Sequence, residues 1–120
     1  MSDSTSISSF GITFDAANAK KVATFWGAVL GRPVGPGASE TRASVEADPQ
    51  IPGSRIGFQQ VPEAKSAKNR LHFDLATKEF DTELQRLVEL GATKINEVDG
   101  GLRYVTLADP EGNEFDLIAM

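Results

Sequence analysis

The chain states one layout twice, about 60 residues apart, and that repetition constrains its fold more than any other feature. Phe10 to Ala16 alternates Phe10, Ile12 and Phe14 with Gly11, Thr13 and Asp15, the period-2 pattern of a strand with one apolar face. Asn18 follows as a helix N-cap, and Val22, Phe25, Trp26, Val29 and Leu30 form one apolar stripe at helical spacing, stopped by Gly31. In the second half, Asn69 to Leu75 alternates with Leu71, Phe73 and Leu75 on one face and His72 and Asp74 on the other. A helix with Phe80, Leu84, Leu87 and Val88 on its stripe then runs to Gly91. The helix-ending glycines 31 and 91 are 60 residues apart, and Ile12 and Phe73 are 61 apart. Offsets that agree in two separate elements point to an internal duplication.

After each helix, strands are expected. Thr41–Glu46 and Ser54–Val61 fill the first half, within a turn-rich region holding Gly31, Pro33, Gly35, Pro36, Gly37, Pro49, Pro52 and Gly53. Ala92–Val98, Leu102–Ala108 and Asn113–Ala119 fill the second, joined at Gly100-Gly101 and at Asp109-Pro110-Glu111-Gly112. The expected fold class is therefore α+β, with two βαβββ modules in tandem whose mixed sheets enclose a shared concave cavity. The expected boundaries are a disordered tail over residues 1–9 and a single domain over 10–120. Module 1 is expected over about 10–61, a connector over 62–69 and module 2 over about 70–120.

Composition narrows the functional classes. With 12 Lys and Arg against 17 Asp and Glu, the net charge is −5, and the largest basic cluster is Lys65, Lys68 and Arg70. That is no concentrated basic face for a phosphate backbone, so nucleic acid is not an expected partner. The chain has no cysteine, hence no disulfide, thiolate metal site or cysteine nucleophile. No apolar run approaches the roughly 20 residues of a membrane span, and the Ser-rich start lacks the pattern of a signal peptide. A cytoplasmic location without membrane association is expected. The Asp109–Asn113 segment lacks the alternating ligand spacing of a calcium loop and reads as a turn, and no glycine-rich phosphate cradle precedes a helix.

Four stretches carry a family resemblance: Phe25-Trp26-Gly27-Ala28-Val29-Leu30-Gly31, Lys68-Asn69-Arg70-Leu71-His72-Phe73-Asp74-Leu75, Leu87-Val88-Glu89-Leu90-Gly91-Ala92 and Ala108-Asp109-Pro110-Glu111-Gly112-Asn113-Glu114-Phe115. In order and spacing the chain resembles the vicinal oxygen chelate superfamily of glyoxalase I, bleomycin-resistance proteins and extradiol dioxygenases, and within it the small glyoxalase-like domain proteins. The resemblance implies paired βαβββ modules, a small-molecule partner and commonly a homodimer. Metal-bearing members place one ligand on the first and one on the last strand of each module. Carried over by position, these fall at His72 and Asp116 in module 2, and at Gly11 and Gly57 in module 1. Glycine offers no ligand, so the inherited metal site is expected to be degenerate. No cofactor is expected, and His72 and Asp116 are the ligands if a divalent transition metal is held.

Three readings stay open on this basis. The first is a binding protein of the resistance or sequestration type, its ligand lined by Gly11, Thr13, Trp26, Gly57, Gln59, His72 and Tyr104, with Phe10 and Phe58 as further aromatics. The second is a metal-independent lyase or isomerase acting on a small carbonyl compound, with His72 as general base and Asp74 or Asp116 as its partner. The third is metal-dependent glyoxalase or dioxygenase chemistry.

Overall fold

The computed structural model describes Ser6, residues 11–50 and residues 54–120. The expected tail, apart from Ser6, and Phe10, Pro52 and Gly53 lie outside the described residues. The chain divides into two compact units, Met1–Val61 and Pro62–Met120.

In the first unit, β1 (Ile12–Ala16) leads into α1 (Ala19–Leu30). Asn18 caps the helix as its spacing suggests, its Oδ1 accepting from the Lys21 N–H at 3.1 Å. Gly31 ends it in the left-handed conformation at φ 67°, which a residue without Cβ adopts at little cost. Two further strands, β2 (Arg42–Val45) and β3 (Ile56–Gln60), complete a sheet of order β1-β3-β2. β1 and β3 are parallel, β2 and β3 antiparallel. A single bridge from Val34 to Val45 stands where the extra strand of a βαβββ module would lie. The α1 stripe packs onto the Phe14 face of the sheet, with Trp26 5.9 Å from Phe14 and edge-on to Phe25 at 5.3 Å between ring centroids.

The second unit repeats this order with a full complement of strands. β4 (Asp74–Thr77), α2 (Phe80–Leu90), β5 (Thr93–Gly100), β6 (Leu102–Ala108) and β7 (Glu114–Ala119) build a sheet of order β4-β7-β6-β5. β4 and β7 are parallel, the other pairs antiparallel. Val105, Leu107, Phe115 and Leu117 are buried on one face, with Phe80 and Leu87 of α2 also in the core. Arg103, from the same face of β6, stacks its guanidinium 4.2 Å above the Phe80 ring. The Asp109 turn is closed by its own carboxylate, which accepts from the Glu111 and Asn113 amides at 2.8 and 2.9 Å. Both units are thus mixed α+β layers of one helix on one sheet, as the duplication implies. No helix among the described residues is long and apolar enough to cross a membrane.

Candidate functional site

Alternation fixes what the other face of the second sheet carries. With Phe115 and Leu117 turned to the core, Asp116 and Ile118 face away from it. Asp116 is paired with Asp74 on β4 and with Thr106 on β6, and the Thr106 hydroxyl donates to Asp116 Oδ1 at 2.6 Å. That short bond fixes one carboxylate oxygen. The other, Oδ2, lies 3.5 Å from His72 Nε2, and Asp74 Oδ1 lies 3.2 Å from the same nitrogen. The three candidate residues His72, Asp74 and Asp116 therefore meet, with one donor atom from each within 4.8 Å of the others.

His72 reaches this point by a route the sequence does not disclose. The expected strand over Asn69–Leu75 begins only at Asp74. The reason is Asn69. Its Oδ1 accepts from the Glu114 N–H at 2.8 Å and its Nδ2 donates to the Glu114 carbonyl at 3.2 Å, so the side-chain amide occupies the place of a ladder partner on β7. Nδ2 also donates to the Leu71 carbonyl. The main chain rejoins the ladder where Asp116 N–H donates to the Phe73 carbonyl at 2.9 Å. Between these two pins the segment stands off the sheet, which leaves Leu71 84% exposed rather than packed with Phe73 and Leu75. His72 is thus held on a short arch clamped at both ends. Local spacing does not mark Asn69, because its partner lies 45 residues away. Thr106 was likewise out of reach, since only strand register sets it beside Asp116.

The donor set can be tested against a divalent cation. The His72 contacts of 3.2 and 3.5 Å are longer than the roughly 2.7–2.9 Å of a well-formed charge-assisted hydrogen bond. The 3.2 Å contact falls within, and the 3.5 Å contact just beyond, the roughly 3.0–3.4 Å that separates adjacent ligands lying ~2.1 Å from one ion. Imidazole with two carboxylates is a suitable set for a transition metal, and three protein ligands is the usual number in an open site. Spacing alone counted two donors, His72 and Asp116; the parallel register of β4 on β7 adds Asp74. The residues fit the ion.

The first unit presents the same positions without donors. Thr13 pairs with Gly57 as Asp74 pairs with Asp116, and Gly11 precedes Thr13 by two residues as His72 precedes Asp74. A Cβ on Gly57 would meet Thr13 Oγ1 at 3.2 Å, whereas one on Gly11 would meet nothing within 4 Å. Gln59 is exposed and donates to Asp15 Oδ1 at 3.0 Å, on the face away from α1. Trp26 is 1% exposed among Phe14 and Phe25 and so belongs to the core with Phe58, because its helical spacing points it at the sheet. Tyr104 is half-buried, two residues before Thr106 and on the same face.

Two units, each one helix on a mixed sheet, with a His/Asp cluster on the helix-free face of the second, have the glyoxalase/bleomycin resistance/dioxygenase fold. The chain belongs to the glyoxalase-like domain family, whose model matches residues 11–118. No curated protein matches its sequence significantly. Solved structures share the fold at low identity. A hypothetical protein from S. aureus superposes with TM-score 0.74 at 16% identity, covering 97% of this chain and 96% of that one. A glyoxalase/bleomycin resistance/dioxygenase family enzyme from Burkholderia phytofirmans gives 0.68 at 22%, covering 90% and 94%. The fosfomycin resistance protein FosX from Listeria monocytogenes, in complex with Mn(II) and a dihydroxypropylphosphonic acid, gives 0.71 at 17%, covering 93% and 90%.

Proposed function

We propose that this protein binds a small oxygen-bearing organic molecule, in the manner of a resistance or sequestration protein, through a divalent transition metal held by His72, Asp74 and Asp116. The observation that carries the reading is the convergence of these three donors within 4.8 Å, with His72 Nε2 at 3.2 and 3.5 Å from the two carboxylates. The Mn(II) complex of the FosX neighbour supports a metal on this fold. Such an ion, when bound, supplies Lewis acidity to a ligand oxygen. The chain's own part is to hold the donors: Thr106 fixes the Asp116 carboxylate from behind, and the Asn69 clamp sets the arch that carries His72.

A second reading is favoured by the glycines at positions 11 and 57, which leave the first unit without ligands. In it, the site works without metal and transfers a proton on a small carbonyl compound. The two carboxylates both face His72 Nε2, which leaves Nδ1 as the ring nitrogen that exchanges a proton with the ligand, and His72 is the general base.

Native mass spectrometry with elemental analysis of the purified protein separates the two, followed by calorimetric titration with Mn(II), Zn(II), Ni(II) and Fe(II). A stoichiometric ion, or micromolar binding lost in Asp74→Asn and His72→Ala, supports the first reading. No binding at micromolar concentration removes it. The second then requires that His72→Ala lower turnover of a carbonyl substrate by roughly 10²-fold or more.

A further inference from the structure

On the helix-free face of the second sheet, the residues next to the donor cluster break the usual rule for a one-sided sheet. An antiparallel sheet packed on one face carries polar residues on the other. Here the row through the cluster obeys that rule: Asp74, Asp116, Thr106 and Asn96 lie side by side across all four strands. The next row does not. Ala76, Ile118, Tyr104 and Val98 are neighbours in register, and beyond them Leu102 stands 58% exposed opposite Gly100. None of these is needed for the core, which is closed on the other face by Val105, Leu107, Phe115 and Leu117. Tyr104, Ile118 and Val98 are half-buried and Ala76 is exposed, so the row is a shallow apolar shelf with the Tyr104 hydroxyl as its single polar tip.

We infer that the ligand of this site has an oxygen-donor head and an uncharged, planar apolar body, and that the body lies on the shelf of Ala76, Ile118, Tyr104 and Val98. The inference rests on the metal-bound reading above and names its ligand class. The dimensions follow from strand geometry. Successive rows on one face are about 7 Å apart and neighbouring strands about 4.8 Å apart. A head engaged at the Asp74–Asp116 row therefore places one aromatic ring over Ile118 and Tyr104, with little room demanded by Ala76. No charged side chain lies in this row, so a second charge on the ligand body would find no partner there and would lose its hydration. Continuity between the donor row and the shelf is what selects a two-ended small molecule as the occupant, since one row spacing along the strands carries it from oxygen chemistry to hydrophobic contact.

Acetohydroxamic and benzohydroxamic acids, which share one chelating head and differ by a ring, test this on the full chain with Mn(II) by calorimetry. The benzo compound is expected to bind about tenfold or more tightly, from the apolar area its ring removes from water. In Tyr104→Ala the ratio of the two dissociation constants is expected to fall towards one. Ala76→Glu, at an exposed position that the fold does not depend on, provides a second variant and is expected to abolish the preference. Equal binding of both compounds overturns the shelf and leaves the metal reading standing, as does a ring preference indifferent to both variants. If manganese binds and neither hydroxamate does, the shelf is overturned as well. If manganese itself does not bind, the metal reading fails and the inference falls with it.

Discussion

Replacing Asn69 by alanine separates the support of the site from the site itself. The side chain makes two hydrogen bonds to the Glu114 backbone, at 2.8 and 3.2 Å, and one to the Leu71 carbonyl. Each contributes about 0.5–1.5 kcal/mol net, and Glu114 is half-buried, so its freed N–H and C=O regain only part of the loss from water. The expected destabilisation is about 1–3 kcal/mol, which for a chain of this size is a fall in Tm of about 4 °C per kcal/mol. The effect on the site should be larger than that on the fold. Without the clamp, the arch over residues 70–73 keeps its pin at the Phe73 carbonyl but loses the one at Glu114, and His72 Nε2 loses its fixed position near Asp74 and Asp116. Loss of an outer support of this kind costs about 10- to 100-fold in metal affinity. His72 is the only histidine in the chain, so its imidazole proton signals can be assigned without further labelling. In Asn69→Ala they are expected to shift and broaden, and the Glu114 amide to exchange faster. Asn69→Asp keeps an acceptor for the Glu114 N–H but sets a carboxylate against the Glu114 carbonyl, so it should do no better than alanine. An unmoved His72 signal together with unchanged Mn(II) affinity in Asn69→Ala would refute the clamp.

Other outcomes follow from single contacts. Thr106→Val keeps shape but removes the hydroxyl that donates to Asp116 Oδ1, and calorimetry should show weaker cation binding by several-fold while far-UV circular dichroism stays unchanged. Asn18→Ala removes the α1 cap and should cost about 1 kcal/mol in urea unfolding, with m unaltered. The carboxyl of Glu97 is held below the usual range, chiefly by its hydrogen bond from Lys94 and then by that ammonium's charge. A depressed folded-state value means that this pair supports folding above the ordinary carboxylate pKa and ceases to as pH falls through the depressed one. In Lys94→Met the Glu97 side-chain carbon, followed by NMR, should titrate at higher pH than in the parent; an unmoved midpoint would remove Lys94 as the cause.

What the sequence disclosed and what it withheld divide along the range of the interactions concerned. α1 was readable because its signals are local: Asn18 bonds three residues ahead, and Gly31 takes the turn that a helix end requires. The strands of the second unit were readable for the same reason, each being an alternating run between glycine turns. The start of β4 was not. Leu71 alternates perfectly with Phe73 and Leu75, yet the Asn69 side chain takes Glu114, and the main chain before Phe73 is released from the ladder. The strand missing among the described residues of the first unit has an equally spatial cause. Val34 pairs for one residue only: the Glu46 N–H donates to the Pro33 carbonyl at 2.9 Å and the Gly35 N–H to the Ser44 carbonyl at 2.8 Å, while Pro33 and Pro36 offer no N–H with which to extend the ladder.

The two units keep the fold but not the side chains at its equivalent positions. In both units the parallel pair of first and last strands sets two positions opposite one another: Thr13 and Gly57 in one, Asp74 and Asp116 in the other. Gly11 and His72 stand two residues before the first member of each pair. Loss of the donors at positions 11 and 57 would leave His72 and Asp116 alone, one short of a usable metal site. On the metal-bound reading, Asp74 makes good that deficit from within the same unit, because the β4–β7 register sets it opposite Asp116 and its Oδ1 lies 3.2 Å from His72 Nε2. On that reading an aspartate at position 74 has a role that the equivalent Thr13 does not, and Asp74→Thr, which copies the first unit, tests it. If the second unit compensates for the first, this exchange should abolish cation binding while leaving His72, Asp116 and the fold in place. Retained binding would mean that His72 and Asp116 suffice, and that Asp74 is only their neighbour.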